Sequence, residues 1–335
     1  MMPKHRRIAL NTTSLILASL LLLPVAGSAQ RYQTADGKTR VALIKMPYSG
    51  ARNVPELSDS PDYLEAGVLA GRITWGDVDL KATQTVGLNE EEARQYGEWH
   101  RMGMANGHLA DMVAENEQEG FLSVGLLANC TSVLGILGGL QHSDPSGRLR
   151  KVGLVFIDAH GDFNTPETTL SGMLGGMPVA VSAGMALRNL RLESGLEPAI
   201  PTEHIILGAV RDLDPLEREL IEDSNLTMLT TDDFRERSAR LHAEMRRLSD
   251  LTDIIYVHID MDVLDPREVA GHPLTVPGGP TSKELAAALT EMFRYEKVAA
   301  LGLASTPANE RDPDGLSREA AYTLIEGALA GIRSR

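Results

Sequence analysis

The sequence VFIDAHGDFNTPETTLSG, residues 155–172, runs from an apolar strand-like segment straight into three ligand-type side chains, Asp158, His160 and Asp162. In extended chain, positions i, i+2 and i+4 face the same side. DAHGD is therefore expected to present carboxylate, imidazole and carboxylate in a row, with the small Ala159 and Gly161 leaving room behind them. About a hundred residues later HIDMDVLDP, His258 to Pro266, repeats the device with Asp260 and Asp262. A lone D-x-D is usually a turn or a helix cap. Two such strand ends side by side place four carboxylates and an imidazole around one point, where the acids repel unless cations neutralise them. Two divalent ions bridged by shared carboxylates meet that need, and such a pair generates a hydroxide nucleophile near neutral pH. The oxygen-rich donor set suits Mn²⁺.

The surrounding chain alternates apolar strand-like runs with helical patterns. Strands are expected at Val41–Lys45, Phe121–Leu127, Lys151–Ile157, His204–Gly208, Asp253–Ile259 and Val298–Leu303. Several are almost continuously apolar, as parallel strands covered on both faces are. Helices are expected over Glu90–Glu117 and after Thr281, where TSKE reads as a capping box followed by Leu285, Leu289, Met292 and Phe293 on one face. This β-then-α order predicts a three-layer α/β/α sandwich around a mostly parallel sheet. In such sheets function collects where strands end. Asn129 and Cys130, Asp158 to Asp162, Arg211 to Asp214, and Asp260 to Asp265 all fall there.

Composition bounds the rest. The 335 residues are 43% hydrophobic but 4% aromatic, which fits an aliphatic core, and the formal net charge of −14 argues against nucleic acid or an anionic membrane as partner. Residues 1–29 have the three parts of a secretory signal peptide: Lys4, Arg6 and Arg7, a leucine-rich apolar run, then Gly27 and Ala29 at the cleavage site. The protein is thus expected to be exported, periplasmic or secreted, without membrane attachment after cleavage. A polar linker is expected over 30–38 and one α/β domain over 39–335. The lone Cys130 excludes an intramolecular disulfide.

These motifs resemble those of the ureohydrolases: arginases, agmatinases and formiminoglutamases. PYSG from Pro47, PDYLEAG from Pro61, LGAVRDLDP (Leu207 to Pro215) and PGGPTSKE (Pro277 to Glu284) extend the resemblance through most of the chain. It implies a central eight-stranded, mostly parallel sheet. It also implies that Asp158 and Asp260 bridge two metals, that Asp162 completes the first site, and that His160 and Asp262 complete the second. Manganese is the family's usual metal, and trimers or hexamers are its usual assemblies. The loop NTPETTLS, Asn164 to Ser171, resembles the arginase branch. Carried over, Asn164, Ser171 and Asp214 hold an amino-acid head group, and Glu284 faces the guanidinium.

Three positions depart from the family pattern. Cys130, in LANCTS, stands where the family has a metal-binding histidine, and a thiolate there tilts the site toward Zn²⁺ or Fe²⁺. Gly175 stands where the family has its proton-shuttling histidine, and Ala304 where its last strand ends in an acid. His272, in AGHP, lies on an expected active-site loop and joins Asp162 as a candidate catalytic residue. The leading expectation is a binuclear-metal hydrolase acting on a guanidine or amidine with an arginine-like end. The alternatives are a non-catalytic metal- or ligand-binding protein of this fold, and a metallohydrolase for a different amide.

Overall fold

Eight parallel strands form one sheet in the computed structural model, which describes residues 31–50, 55–69, 71 and 78–335. The strands are β1 (Thr39–Met46), β2 (Val78–Thr85), β3 (Leu122–Leu127), β4 (Val152–Ile157), β5 (Ile205–Gly208), β6 (Thr227–Leu229), β7 (Ile254–Asp260) and β8 (Val298–Ala304). Their order across the sheet is β2-β1-β3-β8-β7-β4-β5-β6, and every pairing is parallel. The expected signal peptide lies outside the described residues.

Right-handed crossovers decide which face each helix covers. The principal helices are α1 (Ser60–Leu69), α2 (Glu98–Gln118), α3 (Val133–Gln141), α4 (Pro215–Glu222), α5 (Ala239–Leu251), α6 (Ser282–Met292) and α7 (Leu316–Arg333). From β2 to β6 the chain steps one way across the sheet, and from β6 to β8 it steps back, so the connecting helices change face. Accordingly α2 packs on α3, while α6 packs on α7 and α7 on α1. The six expected strands match six of the eight, and the TSKE capping box starts α6 as read, with Thr281 and Glu284 exchanging hydrogen bonds. Leu285, Leu289, Met292 and Phe293 are fully buried on its inner face.

Where the structure differs, exposure explains it. The missed strands β2 and β6 are the two edges of the sheet, and β2 has no fully buried residue in VDLKATQT. An edge strand covered on fewer sides has no continuous apolar run to read. The expected helix 90–117 is two helices: Glu90–Ala93 ends, and α2 starts only after Gly97, whose φ of 103° belongs to glycine. The segment expected as a polar linker is docked: Tyr32 is buried, and its hydroxyl donates to Glu117 Oε2 at 2.8 Å. Arg31 and Arg150 pair with the same buried carboxylate.

The strand register sets up the site. Leu127 of β3 pairs with Ala304 of β8, Ala304 with Asp260 of β7, Ile259 with Ile157 of β4, and Ile157 with Gly208 of β5. Five neighbouring strands thus end level; Asp260 is the last residue of β7, and the loops leaving the other four carry Cys130, Ser305, Asp158 and Arg211.

Candidate metal centre and substrate cavity

The DAHGD segment converges by turning, not by extended alternation as expected. β4 stops at Ile157, Asp158 Oδ1 accepts the His160 N–H at 2.7 Å, and Asp162 turns back with a φ of 46°. Asp tolerates this left-handed conformation better than most residues. The carbonyl of Asp162 accepts the Val179 N–H at 3.0 Å, which fixes the turn to the helix Pro178–Ser182. The end of β7 makes the same Asx turn, with Asp260 Oδ1 accepting the Asp262 N–H at 3.0 Å. Arg211 holds the second loop in place. Its guanidinium donates to the carbonyls of Val263 at 3.1 Å, Val276 at 2.8 Å and Pro277 at 3.1 Å, a planar fork used as a brace.

Three overlapping sets of ligand atoms result, each within 4.8 Å: Cys130 with Asp158 and Asp260, Asp158 with His160 and Asp262, and Asp260 with Asp262 and His272. His160 Nδ1 lies 3.3 Å from Asp158 Oδ1 and 3.1 Å from Asp262 Oδ2. Cys130 Sγ donates to Asp260 Oδ2 at 2.8 Å, and Ser305 Oγ donates to the same oxygen at 2.9 Å. Asp162 is in none of the three sets, yet it lines the same cavity and repels Asp158 and Asp260.

Electrostatics tests whether a metal pair fits. Burial, then repulsion between neighbouring acids, raises Asp158 and Asp260, lifts Asp162 well above the carboxylate range, and takes Asp262 to about 6. Burial and the same acids push the Cys130 thiol up. Burial opposes a charged His160, but Asp158 and Asp262 outweigh it and raise the imidazole to about 12. The protein thus concentrates negative charge where it is costly, and divalent cations offset that cost. The donor set fits them: shared carboxylates, an imidazole and a thiol, gathered in sets whose ligand atoms lie within 4.8 Å of one another.

A cavity of about 460 Å³ opens above the cluster. Asn164, Ser171, Asp214 and His272 line it, as do all six expected ligands. His272 is buried, with Nε2 3.6 Å from Asp260 Oδ1 and Nδ1 accepting the Leu274 N–H at 3.2 Å. Glu284 is not brought to the cavity. Its Oε2 instead accepts the Thr281 N–H at 2.7 Å and the Thr281 hydroxyl at 2.9 Å, beside Arg235. The capping role therefore stands, and the guanidinium-facing role does not. Gly175 does line the cavity, and a Cβ there meets only Asn129, at 3.7 Å or more. Ala304 is buried at the end of β8 and does not line the cavity.

Sequence reasoning missed Ser305 and Glu217, both of which line the cavity, as does Asp212 from the expected segment Arg211 to Asp214. Glu217 is a buried brace: its carboxylate accepts the N–H of Phe163 at 2.8 Å and of Asp214 at 3.2 Å. The spacing D-P-x-E (Asp214 to Glu217) is itself a capping signal that pointed to it. No local pattern marked Ser305.

Residues 131–329 match the Arginase family. The arginase of Bacillus caldovelox is 30% identical over 211 residues, 62% of this chain and 68% of that protein. Among solved structures, the arginase of Bacillus subtilis superposes with a TM-score of 0.74 at 24% identity, covering 87% of this chain and 98% of the other. The formimidoylglutamase of Bacillus subtilis has the same fold, with a TM-score of 0.67 at 18% identity over 88% and 87% of the two chains. The family match over more than half of the chain, together with the arginase relative, establishes that this chain belongs to the arginase family of the ureohydrolase superfamily.

Proposed function

We propose that this chain is an exported hydrolase that holds two divalent cations and cleaves the non-peptide C–N bond of a guanidine or related amidine, arginine-like at its reacting end. The observation that carries this reading is the sharing of ligands: Asp158, Asp260 and Asp262 each belong to two of the three ligand sets, so neighbouring sets hold carboxylates in common, as a close pair of cations requires. Cys130, Asp158, Asp162 and Asp260 would hold one cation, and Asp158, His160, Asp260 and Asp262 the other. Carboxylates favour Mn²⁺, and a Cys130 thiolate favours Zn²⁺ or Fe²⁺ at the first position. The pair, when bound, supplies Lewis acidity and a water acidic enough to attack near neutral pH.

The chain's own residues do the rest. Asp162, at the cavity floor, accepts the proton lost by the attacking water. His272 Nδ1 accepts the Leu274 N–H, which leaves Nε2, 3.6 Å from Asp260 Oδ1, as the ring nitrogen that faces the cluster. That nitrogen hydrogen-bonds the departing nitrogen, and the proton held on Asp162 passes to the departing nitrogen as the C–N bond breaks. In a guanidine the water oxygen bonds to the central carbon, the C–N bond to the arm breaks, and urea and an amine leave. Residues 1–29 support export, and the family resemblance supports assembly as a trimer or hexamer.

Reconstitution with manganese or zinc, followed by elemental analysis and a urea-release screen over arginine, agmatine, guanidinobutyrate, guanidinoacetate and hexylguanidine, tests the reading. Two metals per chain and urea from at least one guanidine are expected. A protein that binds no divalent metal contradicts it outright. Full metal occupancy without urea from any guanidine contradicts the hydrolase assignment.

A further inference from the structure

The mouth of the cavity is built differently from its floor. Leu170, Met173 and Leu274 line it, and they are 76%, 41% and 44% exposed, respectively. Leu57 and Pro273 complete the rim. Scattered exposed apolar side chains need no explanation, but a group gathered from three separate segments around one opening marks a binding surface.

Asn164 and Asp214, two of the three residues expected to grip an amino-acid head, are engaged with other parts of the protein, and the hydroxyl of the third, the exposed Ser171, accepts the Met173 N–H at 3.2 Å. Asn164 Nδ2 donates to Asp214 Oδ2 at 3.2 Å, and Asn164 Oδ1 accepts from the Thr168 hydroxyl at 2.9 Å. Asp214 Oδ2 also accepts the Leu170 N–H at 3.1 Å. These three contacts fasten the loop so that Leu170 stands at the rim. They leave the Asn164 carboxamide turned inward at both ends. Among the described residues that line the cavity there is no Lys or Arg, whereas Asp212 and Asp214 flank the mouth. A substrate carboxylate entering there meets like charge.

Resting on the hydrolase reading above, we propose that the substrate's arm, the part beyond the reacting guanidine or amidine carbon, is apolar: an alkyl or aralkyl chain and not a zwitterionic amino-acid head. The acidic floor accepts a cationic reacting end, and the leucine-rich rim accepts the arm. The cavity lies within the size range of sites that bury small organic ligands. Asn164 and Asp214 are then positioning residues for the rim and do not touch the substrate.

Calorimetric titration of the metal-reconstituted protein with methyl-, propyl- and hexylguanidine, and with arginine, tests this. Affinity is expected to rise up to about fourfold per added methylene, with hexylguanidine binding more tightly than arginine. Leu170→Asp and Leu274→Asp, both at exposed positions, are expected to flatten the series while leaving bound metal unchanged. A flat series on wild-type protein carrying its full metal complement, or arginine as the tightest ligand, overturns the apolar arm and leaves the hydrolase reading standing. Protein that takes up no metal, or that binds no guanidine of any kind, overturns both.

Discussion

Cys130 Sγ donates to Asp260 Oδ2 at 2.8 Å, joining the first turn after β3 to the end of β7 across the intervening strand β8. The contact puts the thiol among the carboxylates that could hold a metal, at the position where the sequence resemblance leads one to expect an imidazole. Burial and the neighbouring acids hold the thiol protonated, so it becomes a ligand only when a cation displaces its proton.

Cobalt substitution checks that role. Cobalt-loaded protein is expected to show a sulfur-to-cobalt charge-transfer band in the near ultraviolet, and Cys130→Ser to lose it. The same variant is expected to weaken one of two metals by at least about tenfold. An unchanged spectrum in Cys130→Ser means that the thiol only packs against the site.

Ser305 bonds the same oxygen of Asp260, at 2.9 Å, from the end of β8. Removing that hydroxyl leaves Asp260 freer to rotate. Ser305→Ala is expected to lower metal affinity by about 10- to 100-fold while costing the fold roughly 1 kcal/mol. Metal titration and thermal melting separate the two effects.

His272 is expected to act on the substrate and not as a ligand. In steady-state kinetics with the best guanidine, His272→Ala is expected to lower kcat by about 10²- to 10⁴-fold, with metal content unchanged. His272→Gln, which keeps a hydrogen-bond donor at that position, is expected to recover part of the rate. Loss of a metal in either variant reassigns His272 to the ligand set.

Glu117 is far from the cavity and tests the fold alone. Its buried carboxylate pairs with Arg31 and Arg150 and accepts the Tyr32 hydroxyl. Glu117→Gln leaves those cations short of a partner and is expected to destabilise the protein by about 3–5 kcal/mol, read as a lowered Tm without change in metal stoichiometry.

Much of this was legible before any coordinates, for a physical reason. The ligands lie two to four residues apart at the ends of strands, so DAHGD and D-x-D carry their chemistry within one turn of chain. The inner strands announce themselves because both faces are buried. The geometry of convergence was not legible: alternation suggested an extended segment, whereas Asx turns and the left-handed Asp162 bring the side chains together. Glu284 was readable as a cap because capping is local, and the distant role failed because it depended on where α6 starts relative to the cavity. His272, Ser305 and Leu170 are single residues on loops. Their burial or exposure follows from how five strand ends are levelled, which no stretch of sequence encodes by itself. Tyr32 looked like part of a linker because its partner, Glu117, lies 85 residues away.

We propose that Asp158 and Asp260, at the ends of β4 and β7, would each help to hold two cations. A crystal structure of the metal-reconstituted protein, with anomalous diffraction at the metal absorption edge, tests it most directly. Two anomalous peaks per chain are expected, both in contact with the carboxylates of Asp158 and Asp260. A single peak, or a pair that leaves either aspartate without a metal, contradicts the account.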